Sequence, residues 1–459
     1  MSLGTTSRSD TRGPGLLRFH PLGTGRVMRY VALRSPELTL GRSLDCGFHV
    51  DDGEASRVHA RLEGSKGYWQ IIDNDSTNGL FVNGQRVTTR TLGGGELIRI
   101  GETFFRFFAR GLSGGSWDYV IPTGPIVAGP AFQDIREVID RAAGGGAPVL
   151  VHGEIGTGKE LIASCIHQRS ARRDGPFVPV DCGEVPRDIF ESALFGREHG
   201  AATDLPGLLR QAAEGTLFLD EVGELPPGCQ TRLLSFILDR QVQPVGSTRS
   251  CEADVRLVCA TSRDLARFVR DATLLPDLYA RLATVVIGLP PLRDRLEDIP
   301  LLVEHFLRSH GEGGAWSVTT RAMEHLCLQR WRSNVRELES AVRRAMLSAV
   351  SYGIVELEHV IGEGARHGVP DTRPMGPIRR EQVAAPREEL PAAAGGVPPD
   401  RPTVPTSEFP EDPRARKIML ALAHHDGDIG NAAAELGLSR KQLDILVRKL
   451  GIDVSLFRR

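Results

Sequence analysis

Residues ~15 to 110 read as β-structure: YWQII and FFRFFA are rich in strand formers, and FVNGQRV sets Asn83-Gly84 between two short apolar runs, a strong hairpin signal. The glycines 93–95 mark another turn. From ~120 the pattern changes. A helical stretch, FQDIREVIDRAA, leads to the apolar strand PVLVHG, a Gly-rich loop and the helical ELIASCIHQRS. Strands and helices keep alternating to ~290, which predicts a parallel α/β sheet. Residues ~291 to 365 read as helices. Eleven prolines between Pro370 and Pro413, with little periodic hydrophobicity, predict a disordered linker. A compact tail follows from ~414.

Composition narrows the class. The chain has 459 residues, 41% hydrophobic and 25% charged, with net charge -2, so several globular domains are expected. Any case for nucleic acid must be local, and the tail supplies one, with nine Lys/Arg against five Asp/Glu over 414–459. No run approaches the roughly 18 apolar residues of a membrane span, and MSLGTTSRSDTRGPG lacks the apolar core of a signal peptide. The seven cysteines are scattered without a C-x-x-C pair, which argues against a zinc site or disulfide framework. No membrane partner and a cytoplasmic location are expected.

The loop between the first α/β strand and its helix reads GEIGTGKE, from Gly153, Glu154, Ile155, Gly156, Thr157 and Gly158 to Lys159 and Glu160. Glycines there turn backbone N–H groups toward phosphate oxygens at a helix N-terminus, and Lys159 would reach the β- and γ-phosphates. The position after the lysine ordinarily carries a magnesium-ligating hydroxyl; here it is Glu160. Further on, GTLFLDE is an apolar strand ending in two carboxylates. Asp220 is the candidate magnesium (Mg) residue and Glu221 the candidate for orienting an attacking water. The bland alternative is a buried strand that happens to end in an acidic turn. The eight loop residues together with Ser262 form the candidate ATP site.

GEIGTGKELIA, PFVPVDC, ESALFGREHG, GTLFLDEVGELP, LPPLRDRLEDIP and NVREL follow, in order, segments of the AAA+ domain of bacterial enhancer-binding proteins, which remodel RNA polymerase carrying sigma-54. The resemblance covers ~122 to 365, and Glu160 is a mark of that family. By resemblance, Arg281 in DLYARL is an arginine that reaches a neighbouring subunit's nucleotide, and Arg336 in NVREL is the sensor arginine of the helical lid. With Glu221 they make the candidate catalytic set, and a homo-oligomeric, hexameric ring is implied. Arginine suits both roles because it keeps its charge and presents a forked donor. The chain departs from the pattern at Asp181 (usually an asparagine thought to restrain the catalytic glutamate), at Ser262 (an amide that reads the γ-phosphate), at Leu275 (an arginine), and at WRSNVREL. Nucleotide binding is expected and slow hydrolysis with it. The sigma-54-contacting loop, usually GAFTGA, is here within REHGAATDLPG: its phenylalanine is Ala202 and its second glycine Asp204. Poor or absent sigma-54 contact is therefore expected.

Gly41-Arg42, Ser56-Arg57-Val58-His59, Ser76-Thr77-Asn78-Gly79 and Val82-Asn83-Gly84 resemble the pattern of a forkhead-associated (FHA) domain, a β-sandwich that binds phosphothreonine. A dianionic phosphate suits Arg42, Ser56 and Arg57, with Thr77 and Asn78 clamping phosphate and peptide backbone. By analogy His59 stabilises a buried turn. The resemblance implies an upstream Ser/Thr kinase. The ligand is a phosphothreonine protein or a phosphorylated segment of this chain, such as one around Thr403 or Thr406. A sandwich used only for packing is the alternative.

The tail, DIGNAAAELGLSRKQLDILVRKLGI, has an Ala-rich helix, a turn and a second helix, a helix-turn-helix pattern that resembles the Fis-type domain. Ser439 and Gln442 form a capping box, and Ser439, Arg440, Lys441 and Gln442 are the candidate DNA contacts. A small helical dimerisation module is the alternative.

The expected fold is multidomain: an FHA β-sandwich at 15–110, an α/β AAA+ P-loop subdomain at 120–290, its helical lid at 291–365, a linker at 366–413, and an all-α helix-turn-helix at 414–459. The expected function is an ATP- and DNA-binding transcriptional regulator at an enhancer-like site, gated by phosphothreonine. The alternative uses nucleotide only for assembly and makes no sigma-54 contact.

Overall fold

The computed structural model describes residues 13–361, apart from 24–26, 66–67, 111, 113–116, 121–128, 130–131, 199–204, 312–313, 315 and 350–352, together with scattered residues between 418 and 454. It divides into two units, one from the N-terminus to 349 with 353–362, the other holding 350–352 and 363–459.

In the first unit, the strands β1 (Gly15–Gly23), β2 (Val27–Ala32), β3 (Glu37–Gly41), β4 (Phe48–His49), β5 (Ala60–Ser65), β6 (Tyr68–Asp73), β7 (Leu80–Val82), β8 (Gln85–Val87), β9 (Thr89–Leu92), β10 (Leu97–Ile100), β11 (Thr103–Phe108) and β12 (Trp117–Val120) make two sheets. Their orders are β12-β2-β1-β11-β10-β7-β8 and β4-β3-β5-β6-β9. The Asn83-Gly84 hairpin forms, with both residues at positive φ, 50° and 77°, as a two-residue turn of the right twist requires. The first sheet runs past residue 110, where the sequence places its end, because β12 pairs antiparallel with β2.

That sheet is apolar on both faces. Leu16, Ile98, Ile100, Phe105 and Phe107 meet Leu40, Phe48, Leu62 and Ile71 inside the sandwich. Their strand neighbours Leu17, Leu97 and Phe104, with Phe19, Met28 and Tyr30, point the other way into a second core. Side chains alternate along a strand, so two apolar faces mean two burials.

The α/β region follows. Helix α1 (Gln133–Ala143) leads to β13 (Val149–His152), α2 (Lys159–Gln168), β14 (Phe177–Asp181) and α3 (Arg187–Phe195). A short ribbon, β15 (Gly196–Arg197) with β16 (Leu205–Pro206), flanks residues 199–204; α4 (Leu208–Gln211), β17 (Thr216–Asp220), α5 (Pro227–Asp239), the ribbon β18 (Gln241–Val242) with β19 (Cys251–Glu252), β20 (Arg256–Thr261), α6 (Leu265–Arg270), α7 (Pro276–Leu282) and β21 (Val285–Gly288) complete it. The sheet order is β14-β17-β20-β13-β21, all parallel. Alternation again sorts the core: Val149, Val151, Phe218, Val258 and Ala260 meet α1 and α2, while Leu150, Leu217, Leu219, Leu257 and Cys259 meet α3, α5 and α7. The C-terminal ends of β13, β17 and β20 converge on one edge, where ligands of open α/β sheets bind.

The lid comprises α8 (Ile299–His310), α9 (Thr320–Leu328), α10 (Asn334–Ser348) and α11 (Leu357–Ile361). Its Leu292, Leu296, Ile299, Leu326, Trp331 and Leu338 share the second core with the outer face of the first sheet. In the second unit the helix Ile429–Glu435 buries Ala432 and Ala433. Asp428 Oδ1 accepts from Gly430 N at 2.7 Å and Asn431 N at 3.3 Å, capping its start. The candidate DNA contacts 439–442 and the linker 366–413 lie outside the described residues. Among the described residues no helix is long and apolar enough to cross a membrane.

Candidate functional site

The loop after β13 has the backbone the glycines predict. Gly156 and Gly158 adopt φ of 76° and 99°, and Gly158 is the N-cap of α2. A Cβ on Gly156 would stand 2.1 Å from Ser333 O, so the approach of the lid also demands glycine. Thr157 Oγ1 donates to Glu154 O at 2.8 Å, and Glu160 is exposed in the first turn of α2.

Lys159 is 7% exposed. Its Nζ donates to Gly153 O at 3.2 Å and pairs with Glu221 Oε1 at 3.2 Å. Glu221, at φ 47°, uses its other oxygen, Oε2, to accept from both Ser262 N and Ser262 Oγ at 3.0 Å. Burial would raise the Glu221 carboxyl, but the Ser262 amide, the Lys159 ammonium and the Ser262 hydroxyl together hold it below its ordinary value. Next to it Asp220 moves the other way, raised chiefly by burial although its Oδ1 accepts from Glu221 N at 2.9 Å. Asp181 stands level with Asp220 on β14. Its Oδ1 accepts from Gly183 N at 2.8 Å; Ser262, not Asp181, engages Glu221.

Four lid residues that the sequence did not single out close the loop. Asn334 is buried at φ 53°; its Oδ1 accepts from Leu292 N at 2.8 Å, and its Nδ2 donates to Ile155 O at 2.9 Å and Glu154 Oε2 at 3.2 Å. Val335 N donates to Gly156 O at 2.9 Å. Arg293 forks onto Glu154 at 2.8 and 2.7 Å, and this bond depresses the Glu154 carboxyl. Arg295, buried over the Phe132 ring, donates to Thr157 O at 3.1 Å. The sequence flagged the segment LPPLRDRLEDIP only as a whole, by resemblance, and gave neither arginine a role. Arg336 is exposed in the first turn of α10, beside Gly156. Arg281 is exposed in the last turn of α7 and takes no part in this hydrogen-bonded set among the described residues. Leu275 is the half-buried N-cap of α7, packed against the α/β core, its N donating to Gln230 Oε1 at 3.0 Å.

The second site lies at one end of the sandwich. Backbone bonds tie its loops together: Arg42 N to Ser56 O and Ser43 N to Arg57 O, both 2.9 Å. Thr77 N donates to Ser56 Oγ at 3.2 Å. A Cβ on Gly41 would meet Arg57 O at 2.3 Å, which is why glycine precedes Arg42. Arg42, Arg57, Thr77 and Asn78 are exposed, and Ser56 is half-buried. Asn78 Nδ2 donates to Glu54 O at 2.8 Å and Glu54 Oε2 at 2.9 Å. His59 is fully buried, accepting at Nδ1 from Ser56 N at 3.0 Å with Nε2 3.2 Å from Gly79 O, and burial lowers its pKa. It buttresses the two loops from beneath. The surface thus gathers two cations, two hydroxyls and an amide. Six of the cysteines are buried and Cys251 half-buried, all as free thiols.

Comparison with known proteins matches each region. A sigma-54 interaction domain matches residues 126–288, an FHA domain 38–101, an AAA+ ATPase lid domain 293–373, and a Fis-family bacterial regulatory domain 415–445. The chain is 39% identical over 334 residues to the DNA-binding transcriptional regulator NtrC of Azospirillum brasilense, covering 71% of this chain and 69% of that protein. It is 39% identical over 327 residues to the transcriptional regulatory protein ZraR of Salmonella typhimurium, covering 70% and 67%. Among solved structures it is similar to NtrX from Brucella abortus in complex with ADP, at 26% identity and TM-score 0.50, covering 72% of this chain and 70% of that one.

Proposed function

The chain belongs to the sigma-54-dependent transcriptional regulators, and on that premise we propose that it is a cytoplasmic, phosphothreonine-gated regulator that binds ATP with magnesium at the Gly153–Glu160 loop and acts from DNA as an oligomeric ring. The observation that carries the nucleotide reading is the convergence of Lys159, Glu221 and Ser262 under a lid held by Asn334 and Val335. The donor set fits the group. Lys159 is a buried cation that meets one carbonyl, Gly153 O, and one carboxylate, Glu221, and the glycine turn leaves a cradle that side chains would fill. Magnesium at such a site is held largely through water and phosphate oxygens. Asp220 would hold it; bound there, it would neutralise phosphate charge.

In this reading Lys159 leaves Glu221 for the phosphates, Arg336 approaches them from the lid, and Glu221 orients a water. Departures at Asp181, Ser262 and Leu275 support slow turnover. Lys159→Ala removes the cation facing the phosphates, and nucleotide affinity, measured by titration of a fluorescent ADP analogue, should fall at least about tenfold for the loss of a charge-assisted contact. Unchanged affinity would refute the site. Arg42, Ser56, Arg57, Thr77 and Asn78 are assigned to the phosphothreonine peptide, and Ser439, Arg440, Lys441 and Gln442 to DNA.

A second reading concerns sigma-54. The segment 199–204 carries Ala202 and Asp204 where the family has an aromatic and a glycine. Losing Phe→Ala in a packed contact costs ~3–5 kcal/mol, enough to disable a transient engagement. The protein held with ADP–aluminium fluoride should fail to retain sigma-54 in a pull-down; nucleotide-dependent retention would restore the remodelling reading.

A further inference from the structure

The outer face of the first sheet is the starting point. A sandwich on a tether would show water a polar outer face. Here Leu17, Phe19, Met28, Tyr30, Leu97 and Phe104 are each at most 1% exposed, buried against the lid. Two ion pairs stitch the seam. Arg99 Nε meets Glu324 Oε2 of α9 at 2.9 Å, and Arg106 pairs with Glu297 while its Nη1 donates to Asp294 O at 3.0 Å. These side chains are 14% and 10%, and 11% and 1%, exposed. Ion pairs so sheltered hold one geometry, because breaking either leaves an uncompensated charge in a dry place.

Each end of the seam runs directly into a ligand site. On the lid side, the segment that receives Arg106 also carries Arg293 and Arg295, bonded to Glu154 and to Thr157 O of the phosphate loop. Its Asp298 accepts from Gly129 N. On the sandwich side, the Arg99 guanidinium lies 3.8 Å over the Phe81 ring. Phe81 sits in β7, three residues after Asn78, and the turn ending β7 reaches α9, where a Cβ on Gly84 would stand 2.9 Å from Leu328 Cδ1.

We propose that the phosphopeptide-reading domain is a fixed extension of the nucleotide lid, so that phosphothreonine and nucleotide bind with linked affinities. This rests on the assignment of both sites above. Nucleotide changes how the lid sits on the phosphate loop, and the sandwich moves with the lid because their cores are one. A peptide that reorders the 77–79 loop shifts β7, Phe81 and Arg99 against Glu324. Linkage is reciprocal: whatever factor phosphopeptide applies to nucleotide affinity, nucleotide applies to phosphopeptide affinity.

The test uses the full chain, a fluorescent ADP analogue, and a degenerate phosphothreonine peptide pool with its unphosphorylated counterpart. Saturating phosphorylated pool should change nucleotide affinity by about fivefold or more, the unphosphorylated pool should not, and the reverse titration should return the same factor. Arg99→Ala and Glu324→Ala should leave each affinity alone nearly unchanged and abolish the factor, and Arg99→Glu with Glu324→Arg should recover it. Hydrogen exchange on the unaltered chain serves where a variant melts early: phosphorylated pool should alter protection across 292–299. Equal nucleotide affinity with and without phosphorylated pool, with unaltered exchange there, overturns the proposal. Failure of either ligand to bind alone removes the underlying assignment and the proposal with it.

Discussion

Glu221 carries the sharpest question at the scale of single residues. Its carboxylate has two holders, Lys159 and Ser262, and phosphate would compete for only the first. Ser262 then remains the group that withholds Glu221 from water. A hydrogen bond to a charged group contributes about 1.5–3 kcal/mol, and Ser262→Ala removes the hydroxyl while keeping the amide. ATP turnover per site should rise, by roughly tenfold for about 1.4 kcal/mol. A fall in turnover would mean that Ser262 reads phosphate instead. Sequence showed Lys159, Asp220 and Glu221 because a phosphate loop and an acidic strand end are contiguous strings whose chemistry is fixed by spacing. It showed that Ser262 and Asp181 were unusual, but not which of them holds the glutamate, since that depends on where two strands end relative to each other. Asn334 was illegible in its role: its left-handed backbone and its bonds to Ile155 and Leu292 exist only once the lid has closed.

At the scale of elements, strand β11 is the informative one. TFFRFF reads as a strand, and so it is. A strand with one face on water should alternate apolar with polar; this one is apolar at Phe104, Phe105 and Phe107, with only Arg106 breaking the run. That pattern already demanded two buried faces, yet nothing in the string says which element covers the second. Phe104 is fully buried in the core shared with the lid. Phe104→Ala should cost ~3–5 kcal/mol of stability, seen as a lower denaturation midpoint in which sandwich and lid lose structure together. A lid that melts at its unaltered midpoint while the sandwich weakens would show the two cores to be separate. The α/β sheet was more legible, because period-two alternation between two covered faces gives nearly continuous apolar runs such as VLV and TLFL, flanked by helices of ordinary length.

At the scale of the whole molecule, the site described so far is complete on one side only. The phosphate loop receives Lys159 from below and the lid from above, yet the chain's own Arg281 makes no hydrogen bond to it among the described residues. Leu278 and Leu282 anchor α7 in the α/β core, which fixes Arg281 on the exposed face of that helix. On the proposed reading, an arginine so placed serves the nucleotide of a neighbouring copy in a ring with head-to-tail interfaces. Lys159→Ala and Arg281→Ala should each depress ATP turnover, the second by as much as 10³–10⁵ where the finger is essential, for different reasons. One variant spoils its own site and the other spoils its neighbour's. Mixing the two chains should therefore restore turnover. An Arg281→Ala chain beside a Lys159→Ala chain has an intact loop facing an intact arginine, and random assembly places about a quarter of the sites in that arrangement. Turnover in the mixture well above either parent, with all three samples sedimenting as the same oligomer, is the expected result. A mixture no faster than its parents would place the role of Arg281 within its own subunit, and the head-to-tail ring would lose its catalytic reason.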